Sequence, residues 1–563
     1  MLLRQPGPFG LLIVLAGCAG TQAPPSSIAA DGAQRSATSG GALPGGGLHV
    51  WSTLTPPEGA AMEGIGRAKL GDAHALLALA IVASAEGRDA ASYARFQGRV
   101  DQFVAELKGP MAAATDDWHR GYELNRAMHR VFFGGERAEL GSYELDQRRI
   151  TSIFTRGRYN CISSAMLFIV LARGFGLPVR ASRVPSHVFV EMGTRGGKII
   201  EIETTSSTGF DWVHDEQFYG EAATKWALSR GLQPVTSEQY KQREILEPYQ
   251  LMAAAMRNSL PGETAQDRFR LNELAALVDA NGENEEARIQ TYISESFKLY
   301  QAKDWATMRK FLDVVEPAVS AIGARSRNTN TLELVSWLHW YQASALIEVG
   351  PADRATAIVR DGLKQLDAGW KDAGSLQENY IGLLVDRMQR LYAAKEYRPM
   401  IEAFDVVGPV LVDVGAKTRA PKTLQLLSWL RWEHAWALMQ AGRLEQAMTI
   451  VRDGLNHLDA SWPDAANLKD SYLGLLSQRL YALYTNKDYR AIVTTFSKYR
   501  DVCQADKGCL DNVGAAYASL SIDPINAGNW QAARQVLQEC LAALPGELRC
   551  ADALKELESR HRF

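Results

Sequence analysis

An internal repeat of 92 residues runs through the second half of this 563-residue chain and restricts the folds open to it. Three segments of the first copy recur in the second: 336–340 at 428–432, 358–363 at 450–455, and 380–384 at 472–476. A unit of this length is too long for one helical hairpin. The apolar periodicity predicts four helices per copy, paired as two hairpins of about 46 residues. In the first copy these helices are expected near 331–349, 352–368, 375–395 and 397–414.

Small residues recur at matching places in the two copies of the repeat. They are Ala343, Gly350 and Ala355 in the first copy, and Ala435, Gly442 and Ala447 in the second. This pattern resembles that of tetratricopeptide (TPR) repeats, which need small residues where paired helices approach closely, although their usual period is about 34 residues. The resemblance implies that residues 286–563 form an all-α, TPR-like solenoid. The concave surface of such a solenoid commonly holds a protein or peptide partner.

Five tryptophans lie at helical spacing on the first helices of the two copies: Trp337, Trp340, Trp429, Trp432 and Trp436. Two interpretations stay open. The side chains either pack in the core of the solenoid or form an aromatic stripe that grips a partner. Solvent exposure of Trp340 and Trp432 distinguishes the two.

A cysteine at a helix start is the first of three candidate catalytic residues. Asn160 is a good N-cap, and the apolar run 165–172 that follows it indicates a buried helix. Cys161 then occupies the first helical position. The positive end of the helix and its free N–H groups favour a thiolate there and could hold an oxyanion. Asn160, or a side chain upstream of it, is the candidate for a second oxyanion donor.

The other two candidates lie on a predicted β-hairpin. Strands are expected at 181–184, 187–192 and 198–203, with a glycine-rich turn at 193–197. Pairing of Met192 with Lys198 sets the register. His187 then lies opposite Glu203, with Cβ atoms roughly 5 Å apart. A register two residues tighter places Glu201 opposite His187 instead, and both carboxylates share the face of the histidine because side chains alternate.

These motifs resemble the transglutaminase-like superfamily of papain-related folds, in its bacterial branch with a preceding helical segment. The resemblance covers residues 60–235 and is carried by Asn-Cys at 160–161, Leu-Ala-Arg-Gly-Phe-Gly-Leu-Pro-Val-Arg at 171–180, Val-Pro-Ser-His-Val-Phe-Val at 184–190, and Ile-Glu-Thr-Thr at 202–205. It implies an α+β papain-like core with N-terminal helices over residues 58–235. It also implies Cys161 as nucleophile, His187 as base and Glu203 as orienting acid. Many members carry Asp-Pro-Thr where this chain has Glu-Thr-Thr from residue 203.

The chain begins with a segment typical of a secretory leader. Residues 1–17 carry one basic residue and a short apolar run, and Leu15-Ala16-Gly17-Cys18 resembles the bacterial lipoprotein box. The resemblance implies cleavage before Cys18 and lipidation of its thiol, which anchors the chain in the cell envelope. Ala at position 19, rather than Asp, favours the outer membrane. Residues 18–57, rich in Gly, Ala, Ser and Pro, are expected to be a flexible tether.

Composition limits the remaining partners and cofactors. With 61 basic and 64 acidic residues, the net charge of −3 leaves no surplus to neutralise nucleic-acid phosphates. Four cysteines near the C-terminus suggest two disulfides in an oxidising compartment, of three possible pairings. The nearest-neighbour pairing is preferred, namely Cys503–Cys509 and Cys540–Cys550. Their spacing does not suggest zinc, and no metal or other cofactor is expected. Residues 236–285 are expected to be a helical connector, and the sequence does not indicate an oligomeric state.

Two functions from different classes are compatible with these features. In the first, a membrane-anchored enzyme attacks an amide with Cys161 and transfers the acyl group to water or to an amine, while the repeats recruit the substrate. In the second, the chain is a catalytically silent scaffold or adaptor of the envelope. The sequence favours the enzyme, because a nucleophile, a base and an acid are all present.

Overall fold

The computed structural model describes residues 55–134, 143–185, 187–211, 220–229, 234–258, 263–462 and 464–561. The predicted leader, Cys18 and the predicted tether up to residue 54 lie outside the described residues. Thr55 is the N-cap of the first helix, so the described fold begins within the last residues assigned to the tether. No helix in the described part of the chain has the length and the apolar character needed to cross a membrane.

Helices dominate the described residues, and four short strands lie between them. The first ten helices are α1 Pro56–Lys69, α2 Ala73–Ala83, α3 Ala90–Ala113, α4 Asp117–Phe132, α5 Ile150–Arg156, α6 Cys161–Gly174, α7 Glu221–Ser229, α8 Ser237–Lys241, α9 Pro248–Arg257 and α10 Ala265–Val278. The strands are β1 Val179–Val184, β2 His187–Gly193, β3 Ile199–Ile202 and β4 Glu244–Leu246. The remaining helices are α11 Gly282–Gln301, α12 Trp305–Arg325, α13 Thr329–Val349, α14 Ala352–Gln365, α15 Ala373–Ala394, α16 Tyr397–Lys417, α17 Pro421–Gln440, α18 Leu444–Asn456, α19 Ala465–Thr485, α20 Tyr489–Lys498, α21 Arg500–Cys503, α22 Lys507–Asn526, α23 Trp530–Ala543 and α24 Leu548–Arg560.

The predicted fold class, an α+β papain-like core followed by an all-α solenoid, is wrong. Helices make up 74% of the described residues, which contain only one small antiparallel sheet of four strands. The strands have between three and seven residues each. The described chain is a helical, repeat-like bundle that carries this sheet. The sequence interpretation assumed that the hairpin motifs determine the fold class. Most of the apolar surface that must be buried lies on helices instead.

The chain divides into two compact units. The sheet unit comprises the described residues up to 298 together with residues 310–335, and it contains all four strands. The repeat unit comprises residues 299–309 and the described residues from 336 onward. Residues 236–285, expected to be a helical connector, belong to the sheet unit and also supply β4, which pairs with β1.

The apolar helix α6 lies at the centre of the sheet unit. Residues 165–172 are all fully buried, as expected of a helix that is apolar on every side. Val188, Val190 and Met192 of β2 join the same core. Beyond the C-terminal end of α6, Gly176 turns the chain toward β1 with a φ of +70°. This packing fixes the start of α6, where Cys161 lies, relative to the sheet.

The hairpin register differs from both predicted registers. The sheet is antiparallel in the order β3-β2-β1-β4. Met192 pairs with Ile200 rather than with Lys198. The turn explains the difference, because Thr194 N–H donates to Lys198 O at 2.9 Å. Lys198 therefore closes the turn and does not begin β3.

This register moves both candidate acids away from the position directly opposite His187. Glu201 pairs with Glu191 on β2. Glu203 lies in the loop that follows β3, because the strand ends at Ile202. Alternation still places His187, Glu191 and Glu201 on one face of the sheet.

From α13 onward, the period of 92 residues appears in the helix boundaries and in one recurring hydrogen bond. The four helices predicted for the first copy are α13 to α16, and each end lies within three residues of its predicted position. Tyr380 donates its hydroxyl proton to Ser336 O at 2.6 Å. Tyr472 donates to Ser428 O at 2.6 Å in the second copy. These bonds join the first and third helices of each copy.

The tryptophans and the C-terminal cysteines of the repeat unit have defined places. Trp337, Trp340, Trp429 and Trp432 are at most 8% exposed, so the core-packing interpretation is correct for them and the open aromatic stripe is wrong. Disulfides join Cys503 to Cys509 and Cys540 to Cys550. This is the nearest-neighbour pairing expected from the sequence.

Candidate functional site

Cys161 is the first residue of α6, and Asn160 is its N-cap. Asn160 Oδ1 accepts from the N–H groups of Ile162 and Ser163 at 2.9 and 3.1 Å. Asn160 Nδ2 donates to Leu145 O at 2.9 Å. Both ends of this carboxamide hold the helix start, and the role of Asn160 as an oxyanion donor stays a prediction. The cap does not use the N–H of Cys161, which lies beside the sulfur.

His187 connects the other two candidate residues. Its Nε2 lies 2.6 Å from Glu203 Oε2. The Cys161 side chain also lies close enough to the imidazole ring to raise the pKa of His187. Since Nε2 faces the carboxylate, Nδ1 is the ring nitrogen left for the sulfur. The structure thus brings Cys161, His187 and Glu203 together.

Glu203 reaches His187 from a loop and not from a strand. Its Oε1 accepts from the N–H and the hydroxyl of Thr205 at 3.0 and 2.6 Å, while Oε2 faces the histidine. Glu203 N–H donates to Gly209 O at 2.9 Å. A Cβ at Gly209 would lie 2.3 Å from Glu203 O, so only glycine fits where the loop folds back. The carboxylate is therefore fixed by its own loop.

The electrostatics of the pair favour a protonated histidine and an ionised acid. Burial lowers the pKa of His187, but the Glu203 carboxylate and the Cys161 sulfur outweigh burial and raise that pKa well above its usual value. Burial raises the pKa of Glu203, but the charge of His187 and hydrogen bonds from His187 and Thr205 lower it overall.

Glu201, the alternative acid, belongs to a separate cluster. Arg243 donates to Glu201 Oε1 and to Glu191 Oε1, both at 2.8 Å. The Tyr240 hydroxyl donates to Glu201 as well. The Ser182 hydroxyl donates to the buried Glu191 at 2.7 Å. This cluster attaches α8 and the residue before β4 to the neighbouring strands, so Glu201 stabilises the fold beside the site and Glu203 is the acid at His187.

A groove of about 430 Å³ lies beside the start of β2. Its lining includes Arg183, Val184, Gln239, Gln242 and Glu244. Val184 is the cross-strand partner of His187, so the groove adjoins the histidine. Arg183 and Glu244 form an ion pair across the groove lining, and the two glutamines offer both donors and acceptors. These two glutamines can pair with the amide groups of an extended peptide.

The sequence interpretation missed the side chains that hold the acid loop. Four of them contact residues 204–206: His129 at Thr204 O (3.1 Å), Asn125 at Ser206 O (3.0 Å), Tyr159 at Thr205 O (3.2 Å), and Ser164 at the Thr204 hydroxyl (2.8 Å). They are 40 to 81 positions distant from their partners in the chain. No motif marks them, because their contacts arise only when α4 and α6 pack against the loop.

Among the described residues, no group of three His, Cys, Asp or Glu side chains is placed to hold a metal ion. No protein-family model matches the chain, and the search among curated proteins found no match. The resemblance to the transglutaminase-like superfamily therefore stays a prediction from the motifs around Cys161, His187 and Glu203.

Proposed function

We propose that the sheet unit carries a cysteine-dependent acyl-transfer site that acts on amides. The observation that carries this proposal is the position of the His187 ring, which lies 2.6 Å from the Glu203 carboxylate and close enough to Cys161 for that side chain to raise the pKa of the histidine. A nucleophile, a base and an orienting acid in this order of contact meet the requirements of nucleophilic acyl transfer. The motif resemblance supports the same class of reaction.

The residues suggest the following steps. The Cys161 sulfur attacks the carbonyl carbon, a C–S bond forms, and the carbonyl π electrons move to oxygen. The Cys161 N–H at the positive end of α6 donates to this oxyanion. Collapse of the intermediate breaks the C–N bond, and His187 gives its proton to the departing amine. Water or a second amine then attacks the thioester, His187 accepts the proton of the attacking molecule, and the sulfur leaves as a thiolate.

The substrate class proposed is a peptide or a peptide-like amide. The groove beside His187 supports this class, because its glutamines can pair with the backbone N–H and C=O groups of an extended segment. We also propose that the repeat unit recruits a protein or peptide partner. Stacked helical hairpins commonly bind such partners.

We propose that the chain acts at the cell envelope as a lipid-anchored protein. The lipoprotein-like box that ends at Cys18 and the two disulfides support this location, because disulfides persist in oxidising compartments. Labelling of cells with an alkyne fatty acid tests the anchor. Label on the wild-type chain and none on Cys18→Ala is the expected result, and equal label on both would contradict it.

Trapping of an acyl-enzyme tests the reaction. We expect an N-acyl amino acid nitrophenyl ester to leave one acyl group on Cys161, detected by mass spectrometry after acid quench. Cys161→Ala should abolish the adduct. His187→Gln should slow its formation by about 100-fold or more, the usual contribution of a positioned acid–base group. The matched control is His74→Gln, since His74 also pairs with a carboxylate, Asp101, but on the surface. Equal acylation of the His187 and His74 variants would contradict the proposal.

One observation favours the second candidate, a catalytically silent scaffold. Cys161 is only 7% exposed. If the thiol is closed to substrates, iodoacetamide should modify Cys161 in unfolded protein and leave it unmodified in folded protein. Modification of the folded wild type that slows in His187→Ala supports the enzyme instead.

A further inference from the structure

Ser164 lies one helical turn after Cys161 and is completely buried. Its hydroxyl oxygen is 3.3 Å from Cys161 O and 2.8 Å from the hydroxyl oxygen of Thr204. Thr204 directly follows Glu203 in the chain and is also completely buried. A single hydroxyl therefore connects the backbone of the candidate nucleophile with the residue beside the candidate acid.

The direction of these two hydrogen bonds follows from the groups present. The Cys161 carbonyl can only accept, so Ser164 donates to it. Thr204 then donates to Ser164 Oγ, and both hydroxyl protons have acceptors in a place that water does not reach. Removal of one hydroxyl would leave a buried partner unsatisfied, which costs about 1–3 kcal/mol in general. The arrangement is thus a specific link and not an incidental contact.

The position of Glu203 depends on such links. The residue lies beyond the end of β3, so no ladder hydrogen bond from β2 fixes it. Its loop is held instead from α6 through Ser164 and from α4 through His129, which donates to Thr204 O at 3.1 Å. A catalytic group needs placement to within about 0.5 Å, which its neighbours must supply when the strand does not.

We propose that Ser164 and Thr204 are positioning residues of the acyl-transfer site. Their hydroxyl pair sets the place of Glu203 relative to Cys161, and Glu203 in turn orients the His187 ring. This inference rests on the proposed function, which supplies the roles of those three residues. Neither hydroxyl takes part in bond making or breaking.

Two variants of Thr204 separate its hydroxyl from its shape. Thr204→Val keeps the shape and removes the hydroxyl, whereas Thr204→Ser keeps the hydroxyl. The readout is the rate constant for alkylation of Cys161 by iodoacetamide across a range of pH. We expect Thr204→Val to slow alkylation at neutral pH by about three- to tenfold, equivalent to one hydrogen bond. Its pH profile should also differ from that of wild type, because Glu203 no longer holds the His187 ring in place. Thr204→Ser should retain the wild-type profile.

Further variants test the link itself. Ser164→Ala should reproduce the shift, and the double variant Ser164→Ala/Thr204→Val should show no larger effect than either single change. Ser84→Ala is the matched control, because Ser84 is fully buried but donates within its own region, to Ala80 O at 3.1 Å. It should leave the profile unchanged.

The outcomes distinguish this inference from the proposed function. Two results would overturn the positioning role: a wild-type profile in Thr204→Val, or equal shifts in Thr204→Val and Thr204→Ser. In either case Glu203→Gln still shifts the profile if the proposed function holds. If Glu203→Gln leaves the profile unchanged, the acid has no role at His187, and the proposed function fails together with the inference. Because the two Thr204 variants differ so little in shape, they give a result even if Ser164→Ala does not fold.

Discussion

At the scale of the residue, His187 and Glu203 make the stability of the sheet unit depend on pH. The pKa of His187 is raised well above 6.5, so its contribution is complete below pH 6.5 and is lost as pH rises through the raised pKa. The pKa of Glu203 is lowered from 4.5, so its contribution is complete above pH 4.5 and is lost as pH falls through the lowered pKa. The pair therefore stabilises the fold most between pH 4.5 and pH 6.5.

Substitution of His187 tests this dependence. We expect His187→Gln to lose most unfolding free energy relative to wild type between the two usual pKa values, 4.5 and 6.5. The loss should shrink as pH rises further, because wild type then loses the charge on His187. Urea denaturation at a series of pH values measures it. His74→Gln is the control, since exposed pairs contribute about 0–1 kcal/mol. A loss that grows steadily toward alkaline pH would contradict the assignment.

A second residue-scale feature recurs with the repeat. Lys303, Lys395 and Lys487 all adopt left-handed backbone angles, with φ between 55° and 60°. Each lies within two residues of a helix end. Glycine is favoured at such positions, because a side chain in this conformation costs about 1–2 kcal/mol. We expect Lys395→Gly to raise the unfolding free energy by about 1 kcal/mol. Gly442, with a φ of 77°, lies just beyond the end of α17, and Gly442→Ala should lower the unfolding free energy. Urea denaturation that shows the reverse signs would refute this explanation.

At the scale of the element, α14 and α15 approach so closely that Gly362 cannot be replaced freely. A Cβ there would lie 2.5 Å from Tyr380 Cζ. The ring cannot withdraw without breaking its bond to Ser336 O. We expect Gly362→Ala to lower the unfolding free energy by about 1–3 kcal/mol through overpacking. Gly382→Ala is the matched variant. Gly382 lies in α15, and a Cβ there would have no neighbour within 4 Å, so alanine should raise the unfolding free energy by about 0.5–1 kcal/mol. Thermal denaturation compares the two, and destabilisation of equal size in both would contradict the packing argument.

Helices in the repeat unit could be predicted because two copies carry the same apolar and small residues, so each copy checks the other. The three residues of the candidate site could also be named, since each lies in a short motif. The geometry of these residues could not be predicted. The turn that ends at Lys198 shifts the register by two residues, and the alternation of side chains does not reveal a shift of two. The loop that carries Glu203 and the Ser164–Thr204 contact depend on tertiary packing. The fold class was misjudged because strand motifs are conspicuous in the sequence, whereas the burial is mainly helical.

At the scale of the whole molecule, the two units differ in their covalent constraints. Both disulfides lie in the repeat unit, where they close segments of 6 and 10 residues. Among the described cysteines, the one in the sheet unit, Cys161, is a free thiol. Loop closure of this size stabilises a fold by about 2–3 kcal/mol per disulfide in the chain-entropy description.

Reduction should therefore act on one unit and not on the other. Two units, each with its own core, are expected to unfold in separate calorimetric transitions. We expect a reducing agent to lower the transition of the repeat unit and to leave that of the sheet unit in place. Pulse alkylation of Cys161 during heating identifies the transition of the sheet unit, because its thiol becomes reactive when that unit unfolds. The double variant Cys503→Ser/Cys509→Ser should reproduce part of the shift without any reductant, since it removes one of the two links. If reduction lowers both transitions equally, the units unfold together, and the sheet unit depends on the repeats for its stability.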